Sequence, residues 1–171
     1  MTIVFQYGSN TDSKHLNAED RLNGDARSIG IAYTENKFEL DFTVWSKRNR
    51  CAAADIVPGS GISIWGVLYE VPDYLIKRES SGRRTSLDAI EGEGRNYKRV
   101  PIRLKRPDGS FVEAVTYVVI KKETGLKTSL EYVRHIIIGL RGHETPEEYI
   151  NYVKGRVVAN NQALKDQVEM L

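Results

Sequence analysis

Two short stretches of this chain carry side chains arranged for chemistry. The first is Leu87-Asp88-Ala89-Ile90-Glu91-Gly92-Glu93-Gly94, where carboxylates gather at a helix end among small residues. A glutamate held there in a partly desolvated pocket has its charged form disfavoured and its pKa raised, which makes it a proton shuttle near neutral pH. Solvated acids at a helix C-terminus give the same pattern. The second stretch is Phe5-Gln6-Tyr7-Gly8-Ser9-Asn10, an apolar strand that stops in a glycine and two small polar residues. Such an ending presents backbone N–H groups that suit an anionic or amide-bearing ligand, and an ordinary turn after a strand has the same composition.

The elements that must position these stretches follow from patterning. Thr2 to Tyr7 reads as a strand apolar on both faces, as expected of one buried centrally. Ser13 is placed to cap a short helix running to about Arg21. Arg27 to Thr34, Phe38 to Val44, Ala52 to Val57 and Ser63 to Val71 read as successive strands. Glu35-Asn36-Lys37 suits a hairpin turn between the first two, and Pro58-Gly59-Ser60-Gly61 a tight connection between the last two. Helical segments are expected over Pro72 to Ser80 and Ser86 to Glu91, and a hairpin over Asn96 to Leu104 and Ser110 to Ile120 around Pro107-Asp108-Gly109. Leu130, Val133, Ile137 and Leu140 keep helical spacing after Ser129. Thr145-Pro146-Glu147-Glu148 marks a last helix start, with Thr145 as cap, and the apolar spacing predicts one long amphipathic helix to Leu171. Strands, helical pair, hairpin and helices make an α+β arrangement in a single domain over residues 1–171, with 145–171 as its C-terminal helix.

Composition narrows the function classes. With 25 basic and 23 acidic residues, the net charge of +2 gives no reason to expect a nucleic-acid or anionic-membrane partner. One cysteine, Cys51, excludes an intramolecular disulfide and fits a reducing, cytoplasmic compartment, where it reads as a small buried hydrophobe. Three histidines lack the spacing of a metal site, so no metal is expected. No run approaches the roughly twenty apolar residues that span a bilayer.

Taken in order along the chain, these segments resemble the γ-glutamylcyclotransferase family. Phe5 to Asn10 is similar to that family's N-terminal substrate-binding loop, and Phe38-Glu39-Leu40-Asp41-Phe42 resembles the strand after it. Ala52 to Pro58 and Ile64 to Tyr69 are similar to its next two strands. Leu87-Asp88, Glu91-Gly92 and Asn96-Tyr97 resemble the segment that holds its catalytic glutamate, and Thr116-Tyr117 and Tyr132 its later pocket positions. The resemblance runs from Ile3 to Tyr149.

This resemblance implies a closed or nearly closed small β-barrel or sheet with flanking helices, a pocket at one end, and no metal or organic cofactor. The implied reaction is intramolecular: the α-amine of a small-molecule γ-glutamyl substrate attacks its own γ-carbonyl, giving 5-oxoproline and a free amine. Glu91 would be the general acid/base, with Glu93 its rival two residues on. Tyr7, Gly8, Ser9, Asn10 and Thr11, together with Tyr117 and Tyr132, would bind the substrate. Ser9 makes a poor nucleophile, since none of His15, His135 or His143 lies in a triad motif. Arg78, Arg83, Arg84, Arg95, Lys98 and Arg99 read as a solvated face or as a basic patch favouring an acidic acceptor. A binding or regulatory module that keeps the pocket without turnover is the alternative. The long terminal helix is compatible with a monomer or a homodimer.

Overall fold

The computed structural model describes residues 1–171. Its seven strands are β1 (Thr2–Gln6), β2 (Arg27–Thr34), β3 (Phe38–Ser46), β4 (Cys51–Pro58), β5 (Trp65–Val71), β6 (Tyr97–Lys105) and β7 (Phe111–Val119). Its five α-helices are α1 (Ser13–Leu16), α2 (Leu87–Glu91), α3 (Leu130–Gly142), α4 (Glu147–Asn160) and α5 (Lys165–Glu169). Five strands close into a barrel in the order β1-β5-β2-β6-β7, and β3 and β4 form a separate two-stranded ribbon. The fold is α+β, as expected.

β1 is the pivot of the barrel. It pairs antiparallel with β5 from Thr2↔Val71 to Gln6↔Val67, and parallel with β7 at Val4↔Val115. Neighbours on both edges explain why Val4 and Phe5 are wholly buried and why the strand is apolar on both faces. The chain leaves this buried strand at Gln6 and delivers Tyr7 to Asn10 to one end of the barrel. The β6–β7 hairpin forms where the Pro107-Asp108-Gly109 turn predicts it.

Other expectations need correction. Glu35-Asn36-Lys37 does not join a hairpin: β2 pairs with β5 and β6, while β3 pairs with β4. Pro58 to Gly61 likewise leads from the ribbon into the barrel rather than between paired neighbours. Asp12, not Ser13, caps α1 by accepting from the N–H groups of Lys14 and His15, and α1 ends at Leu16. Pro72 to Ser80 holds only two single 3₁₀ turns, Asp73–Leu75 and Arg78–Ser80. Pro146 stands at the N-cap of α4, leaving the buried Thr145 hydroxyl without a partner.

The terminal segment is broken rather than continuous. Asn160 accepts from the Thr128 N–H and donates to the Leu126 carbonyl, and Asn161 donates to the Thr128 carbonyl. These side chains tie the chain to the segment before α3, and a 3₁₀ turn over Gln162–Leu164 separates α4 from α5. Asparagine bonds this way more readily than it continues a helix. No helix is long and apolar enough to cross a membrane.

Candidate active site

Glu91 is the last residue of α2. Ser86 caps that helix by accepting from the Ala89 N–H, and Gly92 ends it with φ of 65°, a left-handed conformation that glycine adopts without steric cost. This local geometry turns the Glu91 carboxylate toward the end of β1. Its Oε1 accepts from the Asn10 side-chain amide at 2.7 Å and from the Gln6 amide at 3.3 Å. Burial raises its pKa above the ordinary value of 4.5, an effect assisted by the nearby Asp88 and opposed by Arg21, Asn10 and Gln6.

The loop after β1 forms a 3₁₀ turn over Ser9–Thr11. The N–H groups of Gly8, Ser9 and Asn10 donate to no acceptor in the chain. A Cβ on Gly8 would lie 3.2 Å from the Tyr132 hydroxyl, so the loop and α3 meet closely here. Tyr132 accepts from the Ala54 N–H at 2.9 Å, and Tyr97 donates to the Ala54 carbonyl at 2.5 Å. Small alanines on β4 let both hydroxyls reach its backbone.

Ser9, Asn10, Glu91, Tyr97 and Tyr132 line a cavity of about 470 Å³ whose outer wall is Val44 to Asn49 of the ribbon and its turn. The same five residues also line a small inner recess of about 30 Å³, bounded further by Gln6, Tyr7, Gly8, Ala54 and Tyr117. The floor is therefore a half-buried carboxylate, uncommitted backbone donors and four tyrosines. Burial pushes the phenols of Tyr7, Tyr97, Tyr117 and Tyr132 upward, keeping them neutral hydrogen-bonding groups.

The family model described as Gamma-glutamyl cyclotransferase, AIG2-like, matches residues 4–134. The chain belongs to this family. Among solved structures it is similar to one titled gamma-glutamyl cyclotransferase, at 21% identity and a TM-score of 0.74, covering 90% of this chain and 86% of that one. An uncharacterized protein from Homo sapiens is similar at 22% identity and a TM-score of 0.74, with the same coverage. YkqA from Bacillus subtilis is similar at 19% identity and a TM-score of 0.68, over 91% of this chain and 54% of that one. No curated protein sequence matches. At these identities the structural likeness concerns the γ-glutamyl cyclotransferase fold.

Against this family frame, the residues singled out in the sequence divide. Glu91, Gly8, Ser9, Asn10, Tyr7, Tyr117 and Tyr132 converge on the two connected spaces. Tyr7 donates to the Tyr117 carbonyl, and Tyr117 donates to Asp88 at 2.6 Å, so both phenols are already engaged. Thr11 does not belong with them. Its hydroxyl donates to the Gly8 carbonyl and lies against the Ile136 carbonyl of α3, wholly buried behind the loop. Glu93 faces away from the cavity and pairs with Arg78 at 3.9 Å.

The basic patch also resolves. Arg78, Arg84 and Arg99 are committed to the Glu93 and Asp88 carbonyls, to Asp25, and to the Asp88 carboxylate. Arg95 alone of that group lines the cavity. No histidine lines it: His143 meets Ser13 at 3.3 Å, and His135 pairs with Asp12. No three His, Cys, Asp or Glu side chains converge in a metal-binding geometry. Sequence reasoning named Tyr97 only within the Asn96-Tyr97 motif and without a role, and missed Arg21 and the Lys47–Asn49 turn, which reach the cavity through tertiary packing.

Proposed function

We propose that this chain is a cyclotransferase that converts the γ-glutamyl group of a small γ-glutamyl amide to 5-oxoproline and releases the acylated amine. The observation that carries this reading is Glu91, a carboxylate with a raised pKa, held by Asn10 and Gln6 beside the free N–H groups of Gly8, Ser9 and Asn10. Ionised Glu91 takes a proton from the substrate's α-ammonium. The freed amine then attacks the γ-carbonyl, forming the ring C–N bond. Negative charge grows on the carbonyl oxygen, where backbone donors already in place need no reorganisation. Protonated Glu91 returns its proton to the departing nitrogen as the original C–N bond breaks. The amine gives up a second proton on becoming the lactam nitrogen, and this proton passes through the again-ionised Glu91 to the released amine, which departs as an ammonium. The count then closes on one residue, and no covalent enzyme intermediate is required.

Ring closure also needs the amine folded back onto its own carbonyl, an orientation effect worth several kcal/mol in aligned cases. The cavity of about 470 Å³ beside Glu91 has room for the folded γ-glutamyl group together with its acceptor portion, whereas the tyrosine-lined recess of about 30 Å³ is too small to take that group whole.

The test is 5-oxoproline release, read by mass spectrometry, from a panel of γ-glutamyl amino acids, peptides and amines. Glu91→Gln is expected to lower release by about 10²- to 10⁴-fold with an unchanged circular dichroism spectrum. Ligand binding by wild type with no product across the panel would mark the pocket as a binding module instead.

A further inference from the structure

Arg21 is the one cavity-lining cation that is deeply buried, at 6% exposure. Buried arginines are normally paired with a carboxylate, yet Arg21 makes no salt bridge. Its Nη2 donates to the Asn10 side-chain oxygen, Nε is buried with no partner, and Nη1 has no acceptor in the chain. A desolvated guanidinium with spare donors in a cavity wall calls for an anion.

Its position says which one. The Asn10 carboxamide accepts from Arg21 through its oxygen and donates to Glu91 through its nitrogen, so base and cation stand one amide group apart. In a γ-glutamyl substrate the α-amine and the α-carboxylate share one carbon. A cation serving that carboxylate must therefore lie next to the group that deprotonates the amine. Of the other cations lining the cavity, Lys47 and Arg48 lie on the ribbon turn, where Arg48 faces Asp20 at 3.6 Å, and Arg95 is exposed. Arg21 alone combines burial, spare donors and adjacency to Glu91.

We propose that Arg21 is the specificity-determining anchor for the substrate's α-carboxylate, leaving the Gly8 to Asn10 N–H groups for the γ-carbonyl. The assignment rests on the cyclotransferase reading for its substrate and on the Arg21 geometry for its position. It divides recognition between two ends of one small molecule: a guanidinium reads the charge that defines a glutamyl group, and the backbone stabilises the charge that the reaction creates.

The test compares 5-oxoproline with 2-pyrrolidone, the same lactam without its carboxylate, in calorimetric binding to wild type, Arg21→Gln and Arg21→Lys. Wild type is expected to prefer 5-oxoproline by about 10- to 100-fold, Arg21→Gln to lose most of that preference, and Arg21→Lys to keep part of it. Thermal melts check that each variant is folded. In parallel, γ-glutamyl and 4-aminobutyryl conjugates of one amine are compared as substrates, with the same collapse of the kcat/KM ratio expected in Arg21→Gln. A wild-type preference that survives in folded Arg21→Gln overturns the assignment, as does the absence of any preference in wild type. Arg21-dependent lactam binding without turnover of any γ-glutamyl substrate would sustain the anchor and refute the cyclisation.

Discussion

Glu91 sits between opposing influences that can be removed one at a time. Burial raises its pKa, the neighbouring Asp88 adds to this, and Arg21 and the Asn10 and Gln6 amides pull the other way. A general base must be ionised, so kcat/KM falls as pH drops through the Glu91 pKa, and this acid limb should lie above 4.5. Asn10→Ala removes a hydrogen bond to the charged form, which raises the pKa further and moves the limb to higher pH. Asp88→Asn removes a like charge and moves it to lower pH. Opposite displacements in a pH–rate series would identify Glu91 as the titrating base. Limbs that stay together in both variants would point to another group.

The elements that carry these residues were legible to different degrees. α3 declares itself through the Ser129 cap and its apolar periodicity, and β6–β7 through a turn whose chemistry is local. The expected β2–β3 hairpin failed because β2 finds its partners in β5 and β6, which no local signal encodes. The same limit applied at the site: Glu91 and the Tyr7 to Asn10 loop stood out as motifs, whereas Arg21 was hidden in an unremarkable polar segment after α1. Packing between elements is equally specific. A Cβ on Gly139 would fall 2.2 Å from the Thr11 carbonyl carbon and 2.3 Å from the Asp12 nitrogen, so α3 lies directly on the loop backbone. Gly139→Ala should cost about 1–3 kcal/mol and displace the loop, lowering activity beyond the loss of stability. Gly155→Ala, in α4 with nothing near its Cβ position, should instead stabilise by roughly 0.5–1 kcal/mol. Paired denaturation curves and activity assays separate the two effects.

At the scale of the whole molecule, the cavity exists because a ribbon is clasped to a barrel. Chemistry sits on the barrel side, at the end of β1 and on α2, while Val44 to Asn49 of the ribbon and its turn close the outer wall. The clasp is Asp55 on β4, wholly buried, which accepts from the Val119 N–H at the end of β7, from Lys122 at 2.5 Å and from Thr43 at 2.8 Å. Thr43 is free to turn inward because the β3–β4 register shifts between Phe42 and Val44, leaving it unpaired in the ladder. Beside Asp55, Ala54 receives the Tyr97 and Tyr132 hydroxyls, so a ribbon that drifts takes the tyrosine floor with it. Asp55→Ala strands a backbone N–H, a hydroxyl and an ammonium at once. It should cost about 2–4 kcal/mol, which for a chain of this length lowers Tm by roughly 5–15 °C. The kinetic signature follows from the division of labour: with Glu91 and the β1 loop still on the barrel, KM should rise more than kcat falls. A fall in kcat with KM unchanged would mean that the ribbon takes part in the chemistry rather than in holding the substrate.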